Sequence, residues 1–283
     1  MDSIFVYPGG KASIRNFIWD NAPAHSCWVD LCGGGASITV HKPESDVEVY
    51  NDIGFVSLFM AVLRSDELGG KLRSKLELTL MDEMEFQRCH EKWMWETDLV
   101  EQCRMFYVQL LQCFTHEYDG TGWIGVGKKM SQAKSFKNHV DSIPLFVERF
   151  RQIQIMNRKA YELIPIFDDT ETLFYFDPPY MNEQGKNTVV GYLDLMTPEE
   201  HRKTLQMLLD SKSQFMVSGY MNPLYESMLG SLEHQKLTRK GMIKNNAQDA
   251  MGIIKERTEH LWIRRNTTTK AAIRYEQIES LWS

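Results

Sequence analysis

Short apolar runs alternate with helical patterns along most of the chain. Apolar runs bounded by turn residues are typical of buried strands, and apolar residues spaced three and four apart are typical of helices that cover a sheet. The runs predict strands at residues 28–31, 47–50, 153–156, 173–176, 215–218, 232–237 and 260–264. Helical patterns follow at residues 56–63 and 197–209, and a short helical pattern follows the strand at 153–156 and ends at residue 164. This alternation predicts an α/β fold with a doubly wound sheet.

The stretch 65–142 departs from this alternation. It carries long, charge-rich helical patterns at 84–95 and 99–114. We interpret it as a helical domain inserted into an α/β domain that comprises residues 1–64 and 143–283.

Aromatic residues of this insert divide into two groups. Aromatic side chains at helical spacing usually pack inward, so we expect Trp93, Trp95 and Phe106 to form a small core. Trp123 lies instead in the glycine- and lysine-rich segment 120–129. There an aromatic ring could meet a base or a sugar of a nucleic acid.

The length and composition suit one large domain or a core with an insert. The chain has 283 residues, and 43% of them are hydrophobic, which is enough for a buried core. No apolar stretch approaches the roughly 20 residues that cross a bilayer. The first residues lack a basic region followed by a long apolar one, so we expect no signal peptide and a cytoplasmic location.

The cysteines favour reduced thiols over disulfides. There are five of them, an odd number, without a C-x-x-C pair. Cys113 and His116 have a possible ligand spacing, with Cys89, His90 and Cys103 upstream. These gaps fit no standard zinc pattern, so we expect no metal.

The charge is unevenly distributed. The formal net charge is −6, which disfavours a nucleic-acid partner, but residues 121–160 are locally basic. Their basic residues are Lys128, Lys129, Lys134, Lys137, Arg149, Arg151, Arg158 and Lys159, against Asp141 and Glu148. A second basic group comprises Lys236, Arg239, Lys240, Lys244, Arg264 and Arg265. Such patches can follow phosphates; two solvated surface faces are the alternative.

The tetrapeptide Asp177-Pro178-Pro179-Tyr180 follows the apolar run 173–176. Neither proline can donate to a sheet ladder, so the strand ends in a turn at Asp177. That is the carboxyl edge, where ligands of open α/β sheets bind. A flipped nucleobase could donate from its amino group to Asp177 and the Pro178 carbonyl while its ring stacks on Tyr180. The alternative is an ordinary turn with a solvated carboxylate.

Two glycine-rich turns complete the candidate chemistry. Residues 33–35 are three glycines after the first strand, and Asp52 follows the second strand, where an acid can bind a ribose. The dinucleotide pattern G-x-G-x-x-G is absent, so the glycines alone are weak evidence. Near the start, Tyr7 and Lys11 flank a turn, where the lysine could pair with a ligand carboxylate.

Four segments occur in the same order as, and resemble, segments of the Dam-type (D12 class, alpha group) DNA adenine-N6 methyltransferases. They are residues 7–11, 30–35, 51–52 and 177–180. The resemblance covers nearly the whole chain except the insert, and it includes residues 218–220, 222–225 and 257–262. It implies a Rossmann-like methyltransferase sheet, with the insert as target-recognition domain. It implies that S-adenosylmethionine is bound by Tyr7, Gly10, Lys11, Asp30, Cys32, Gly33, Gly34, Gly35, Asp52 and Asp177. The catalytic residues it implies are Asp177, Pro178, Pro179 and Tyr180.

The implied reaction is methyl transfer to N6 of a flipped adenine in double-stranded DNA, without a metal. We expect DNA contacts from Trp123, Lys128, Lys129, Lys134 and Lys137. A cognate restriction endonuclease is a possible partner. The alternative is an enzyme that acts alone, of the orphan or phage type. We assign no recognised sequence, because the insert shows no stretch that matches the family members that read GATC.

Some features leave room for other functions. Cys32 stands where the family usually has Phe, and Leu31 where it often has Pro, which bears on cofactor affinity rather than on reaction type. Methylation of RNA or of a protein amide is one alternative, although amide methyltransferases generally begin the tetrapeptide with Asn. A DNA-binding module without activity is the other.

Overall fold

Seven strands form a single sheet in the part of the chain that the computed structural model describes. That part comprises residues 3–4, 6–7, 9–125, 131–181, 195–243 and 253–266, with the backbone alone for 239–243, 253–255 and 257. The strands are β1 (Cys27–Asp30), β2 (Val47–Asn51), β3 (Gln154–Met156), β4 (Thr172–Phe176), β5 (Gln214–Gly219), β6 (Glu233–Ile243) and β7 (Ile253–Arg264). All seven predicted strands are confirmed, and β6 and β7 are longer than predicted.

The strand order is β3-β2-β1-β4-β5-β7-β6. The first five strands are parallel, and β7 is antiparallel to β5 and β6. Because β1 lies between β2 and β4, the winding direction reverses there, and such a switch point is where open α/β sheets bind ligands. The predicted α/β, doubly wound Rossmann-like sheet is confirmed.

The β6–β7 hairpin extends past this edge of the sheet. β7 pairs with β5 only over residues 260–264. Its pairing with β6 continues to Ile253, opposite Ile243. Because His260 pairs with Gly219, the last residue of β5, residues 253–259 lie beyond the carboxyl end of that strand.

Helices cover both faces of the sheet, and they include all the predicted ones. They are α1 (Arg15–Asp20), α2 (Phe55–Arg64), α3 (Asp66–Glu77), α4 (Glu83–Lys92), α5 (Leu99–Gln112), α6 (Gln132–Phe150), α7 (Ala160–Phe167), α8 (Pro198–Asp210) and α9 (Pro223–Leu229). α8 begins with the capping box that Thr197 and Glu200 predict. Of the described helices, none is long and apolar enough to cross a membrane.

The helical stretch between α2 and β3 shares a hydrophobic cluster with the sheet. Phe106 and Trp93 belong to the same buried cluster as Tyr50 of β2. α6 runs through the predicted boundary at residue 142 without a break, so a separate inserted domain stays a prediction. The expected burial of Trp95 is wrong, since its exposed fraction is 79%. Residues two apart on a helix do not share a face, so burial of Trp93 in its 3-10 turn leaves Trp95 outside.

Candidate active site

A cavity of about 1170 Å³ lies at the carboxyl edge of the sheet, around the ends of β1, β2 and β4. Its lining includes every residue with a predicted cofactor or catalytic role. They are Tyr7, Gly10, Lys11, Asp30, Cys32, Gly33, Gly34, Gly35, Asp52, Asp177, Pro178, Pro179 and Tyr180. We call Asp30, residues 32–35 and Asp52 the glycine-loop side of the cavity. Lys11 and residues 177–180 form its opposite part, the Asp177 side.

Hydrogen bonds hold the glycine loop against β2. The N–H of Gly33 donates to the carbonyl of Asn51 at 2.8 Å, and the N–H of Gly34 donates to Oδ2 of Asp52 at 2.8 Å. Gly34 has a φ of +50°, which glycine adopts without strain. A Cβ on Gly33 would lie 2.0 Å from the ring of Tyr50. Because that ring is fully buried, the loop has no room for a side chain at this position.

Asn51 joins this side of the cavity to the segment that follows β3. Its Nδ2 donates to the carbonyls of Leu31 at 2.8 Å and Arg158 at 3.0 Å. Its Oδ1 accepts from the N–H of Arg158 at 3.0 Å. The sequence marks Asn51 only as the neighbour of Asp52. Its partners lie 20 and 107 residues away, so no local pattern could reveal this role.

Asp30 is a buried carboxyl group at the end of β1, with an exposed fraction of 2%. Its Oδ2 accepts a hydrogen bond from Thr39 at 2.6 Å. Its Oδ1 is buried without a hydrogen-bond partner among the described residues. Burial raises the pKa of Asp30 to about 7, and the nearby Asp177 and Asp52 act in the same direction. A cationic ligand in the cavity would compensate this carboxylate.

Lys11 pairs with Asp177, and its expected pairing with a ligand carboxylate stays a prediction. Its Nζ lies 3.0 Å from Oδ1 of Asp177, and it also donates to the carbonyl of Gly9 at 2.6 Å. The same Nζ is 4.5 Å from the centroid of the Tyr180 ring, within cation–π range. Burial raises the pKa of Asp177, and the Lys11 ammonium opposes that rise.

Two side chains outside the predicted set hold Tyr180. Its hydroxyl donates to Oε2 of Glu259 at 3.1 Å. The ring of Tyr220 meets the Tyr180 ring edge-on, with centroids 4.7 Å apart and planes at 75°. Burial raises the pKa of the Tyr180 hydroxyl well above its usual value, so this group stays protonated and donates.

The helical stretch also contributes to the cavity. Thr115, Glu117 and Tyr118, in the loop after α5, line it. The hydroxyl of Tyr118 donates to the hydroxyl of Tyr7 at 2.6 Å. Sequence reasoning missed these residues, because the one spacing considered there, Cys113 to His116, concerned a metal and not this cavity.

The predicted DNA-binding residues lie apart from the cavity lining or outside the described residues. Lys134 and Lys137 are exposed on α6, and Lys137 forms an ion pair with Asp141 one turn later. Trp123 is half-buried and forms an isolated bridge with Cys113. Lys128 and Lys129 lie outside the described residues. DNA contacts by these residues stay a prediction.

The cysteines and histidines considered for zinc have other contacts. His116 shares a hydrogen bond of 2.8 Å with the carbonyl of Leu110, and Cys113 lies 3.3 Å from the hydroxyl of Thr115. Among the described residues, no group of three or more His, Cys, Asp or Glu side chains could hold a metal ion.

Comparisons with known proteins bear on this cavity. The model of a family described as D12 class N6 adenine-specific DNA methyltransferase matches residues 7–246. No curated protein matches the chain significantly. Among solved structures, the chain is similar to the precorrin 8W decarboxylase of Methanobacterium thermoautotrophicum. The identity is 11%, the TM-score is 0.38, and the similarity covers 93% of this chain and 97% of that one. A TM-score this low supports no conclusion about function.

The family match includes both sides of the cavity, from Tyr7 through Asp52 to residues 177–180. It spans most of the 283 residues. The chain therefore belongs to the D12 class N6 adenine-specific DNA methyltransferase family.

Proposed function

We propose that this enzyme transfers a methyl group from S-adenosylmethionine to N6 of an adenine extruded from duplex DNA. The observation that carries the proposal is that one cavity joins the glycine-loop side to the Asp177 side. A methyl donor and a planar acceptor with an amino group can therefore lie end to end in it. Holding two reactants in this way is a large part of what accelerates a transfer between them.

The glycine-loop side suits the methyl donor. Gly33 and Gly34 offer backbone without Cβ atoms, and Asp52 beside them can accept hydrogen bonds from ribose hydroxyls. The buried Oδ1 of Asp30, which lacks a hydrogen-bond partner among the described residues, suits the donor's ammonium group. When bound, S-adenosylmethionine supplies an electrophilic methyl group on a positively charged sulfur.

The Lys11 ammonium occupies the position that we assign to the amino group of the acceptor base. Its ammonium lies 3.0 Å from Asp177 and 4.5 Å from the Tyr180 ring centroid, the two groups that we assign to the base. Entry of adenine therefore requires this ammonium to give way. The amino group then donates to Asp177 and to the carbonyl of Pro178. Both hydrogen bonds favour a tetrahedral nitrogen whose lone pair is available, which offsets its delocalisation into the ring.

The methylated amine must also lose a proton. Asp177 is within reach of it, and burial raises the pKa of this carboxyl, which makes it a better proton acceptor than a solvated aspartate. Stacking of the extruded base on Tyr180 offsets part of the few kcal/mol that unstacking costs.

DNA binding outside the cavity is assigned to basic and aromatic side chains of the 121–160 region. Lys134 and Lys137 are exposed on one helix and suit phosphates. Lys128, Lys129 and Trp123 complete the proposed contact set.

A labelling experiment tests the proposal. The protein is incubated with methyl-labelled S-adenosylmethionine and, separately, with duplex DNA of mixed sequence, RNA of mixed sequence, and bacterial protein extract. We expect label in the duplex alone, as N6-methyladenine in a defined sequence context. Label in RNA or in a protein amide would overturn the acceptor assignment. Absence of label from all three would indicate a DNA-binding module without activity.

A further inference from the structure

Three adjacent strands meet at the ring of Tyr180. Tyr180 follows β4, Tyr220 follows β5, and Glu259 belongs to β7. The Tyr180 hydroxyl donates to Glu259 at 3.1 Å, and the Tyr220 ring packs edge-on against the Tyr180 ring. The ring is thus held at its hydroxyl and at its side by two different strand ends.

Strand register places Glu259 at this point. Gly219 ends β5 and pairs with His260, so Glu259 is the first residue of β7 beyond the carboxyl end of β5. There it still pairs with Leu237 of β6. Its carboxylate therefore projects from a paired strand, and groups on strands are held more accurately than groups on loops.

Within the tetrapeptide, the carboxylate of Asp177 interacts with the Tyr180 hydroxyl, but this contact joins two neighbours on one turn and does not tie the ring to the rest of the sheet. Pro178 and Pro179 restrict their own backbone, but they leave the side-chain torsions of Tyr180 to their surroundings. Stacking needs a ring face at a fixed angle beside Asp177, because small misplacements of a reacting group cost much of the rate. A hydrogen bond from the hydroxyl to an ionised acceptor is among the stronger single constraints available.

We infer that Glu259 is a positioning residue for methyl transfer: it holds the Tyr180 hydroxyl and so orients the ring on which the target base stacks. This inference rests on the proposed function, in which that base is adenine. Glu259 itself need not touch the base. Its effect is expected in the extrusion and transfer steps, and cofactor binding should be unaffected because the glycine-loop side is untouched.

Three substitutions separate this role from loss of charge or of folding. Glu259→Ala removes the acceptor, Glu259→Gln keeps an acceptor oxygen without the charge, and Tyr180→Phe keeps the ring without its hydroxyl. We expect Glu259→Ala to slow single-turnover methylation by roughly 10- to 100-fold, the range for loss of one hydrogen bond to a charged group, and Tyr180→Phe to slow it at least as much, because it also removes the contact with Asp177. Glu259→Gln keeps a neutral acceptor and should therefore lose clearly less than Glu259→Ala. Glu233→Ala, on the same hairpin in an exposed pair with Arg265, is the matched control and should behave normally.

A second readout does not depend on turnover. The labelling experiment defines the methylated adenine, and 2-aminopurine at that position reports base extrusion by its fluorescence. We expect the fluorescence gain on binding to fall in Glu259→Ala and to fall clearly less in Glu259→Gln. In the double variant with Tyr180→Phe, Glu259→Ala should add no further loss, because residues acting through one bond are not additive.

Several results would overturn the inference. They are wild-type rates in Glu259→Ala, equal losses in the Gln and Ala variants, or full additivity with Tyr180→Phe. A lower midpoint of thermal unfolding in Glu259→Ala, with an unchanged fluorescence gain, would also count against it. Failure of the proposed function is distinguishable, because the wild type itself would then leave adenine unlabelled.

Discussion

The two sides of the cavity are built in different ways. On the glycine-loop side, the bonds of the loop itself join the ends of neighbouring strands β1 and β2 and link residues 16 to 20 apart in the chain; the bonds of Asn51 to Arg158, 107 residues away, support them from behind. On the Asp177 side, Lys11 comes from the start of the chain, and Tyr180 meets Glu259, 79 residues later. The glycine-loop side consists mainly of backbone groups that bond to side chains of the neighbouring strand. The Asp177 side consists of side chains from segments far apart in the sequence.

This difference indicates how each side meets its ligand. The bonds of Gly33 and Gly34 to β2 can persist when a ligand binds, so in the proposed function the glycine-loop side acts as a preformed receptor. The Lys11 ammonium contacts both Asp177 and Tyr180, so in the proposed function it must exchange these partners when the base enters. We therefore expect substitutions on the first side to change cofactor affinity, and substitutions on the second to change the transfer step.

The largest effect is expected for Asp177→Asn. It removes the charge that stabilises the developing positive charge on N6 but keeps an oxygen to which Lys11 can donate, so folding should be retained. Methyl transfer should fall by at least about 100-fold, as for loss of one electrostatic group in an active site. Single-turnover labelling at saturating cofactor measures the rate, and calorimetry measures separately how far Asp177 contributes to cofactor affinity. Asp210→Ala, at the exposed end of α8, is the control. Near-normal turnover in Asp177→Asn would remove Asp177 from the mechanism.

Gly33→Ala probes the opposite side. The new Cβ would lie 2.0 Å from the buried Tyr50 ring, and overpacking of this kind costs about 1–3 kcal/mol. We expect a lower free energy of unfolding in urea and a marked loss of cofactor affinity, while DNA binding remains. Gly70→Ala in α3 is the matched control, because a Cβ there meets nothing within 4 Å and should stabilise the helix slightly. Unchanged cofactor affinity in Gly33→Ala would contradict a rigid receptor.

Asp30 gives this receptor a pH dependence. Its pKa is about 7 in the folded protein, against about 3.9 in an unfolded chain. Between these values only the folded protein holds the proton, so this group's contribution to stability falls as pH rises from about 4 to about 7 and is constant above. A cationic cofactor favours the ionised form, so its affinity should weaken below a pH of about 7.

Asp30→Asn isolates both dependences. The unfolding free energy of the wild type minus that of the variant, measured in urea from pH 5 to pH 8, should fall up to a pH of about 7 and stay constant above it. The cofactor affinity of the variant should vary less with pH than that of the wild type. Parallel pH curves for the two proteins would contradict a raised pKa at Asp30.

The smallest effects are expected outside both sides. Lys134→Gln or Lys137→Gln should weaken binding to any duplex and lower the salt dependence of its affinity by about 0.9 per lost phosphate contact. The transfer rate at saturating DNA should not change. Fluorescence anisotropy across a salt series measures this, with Lys71→Gln on exposed α3 as control. An unchanged salt slope in both variants would place the DNA elsewhere.

The elements of the fold and half of the site were predictable from local patterns. Apolar runs located the central strands β1, β4 and β5, because burial on both faces demands continuous apolar residues. The capping box located the start of α8. Asp177 and Asp52 follow directly from their strands, because the carboxyl ends of parallel strands share one edge.

Other features were decided by tertiary structure alone. The pairing of Lys11 with Asp177, the bond from Tyr118 to Tyr7 and the bond from Tyr180 to Glu259 join segments that no local pattern connects. Trp95 shows the same limit, since its spacing suggested burial and only the 3-10 turn left it exposed. The sequence by itself determined which groups stand at strand ends, because strand periodicity and turn chemistry are local. Which of those groups touch depends on strand order and register, and these are set by packing of the whole chain.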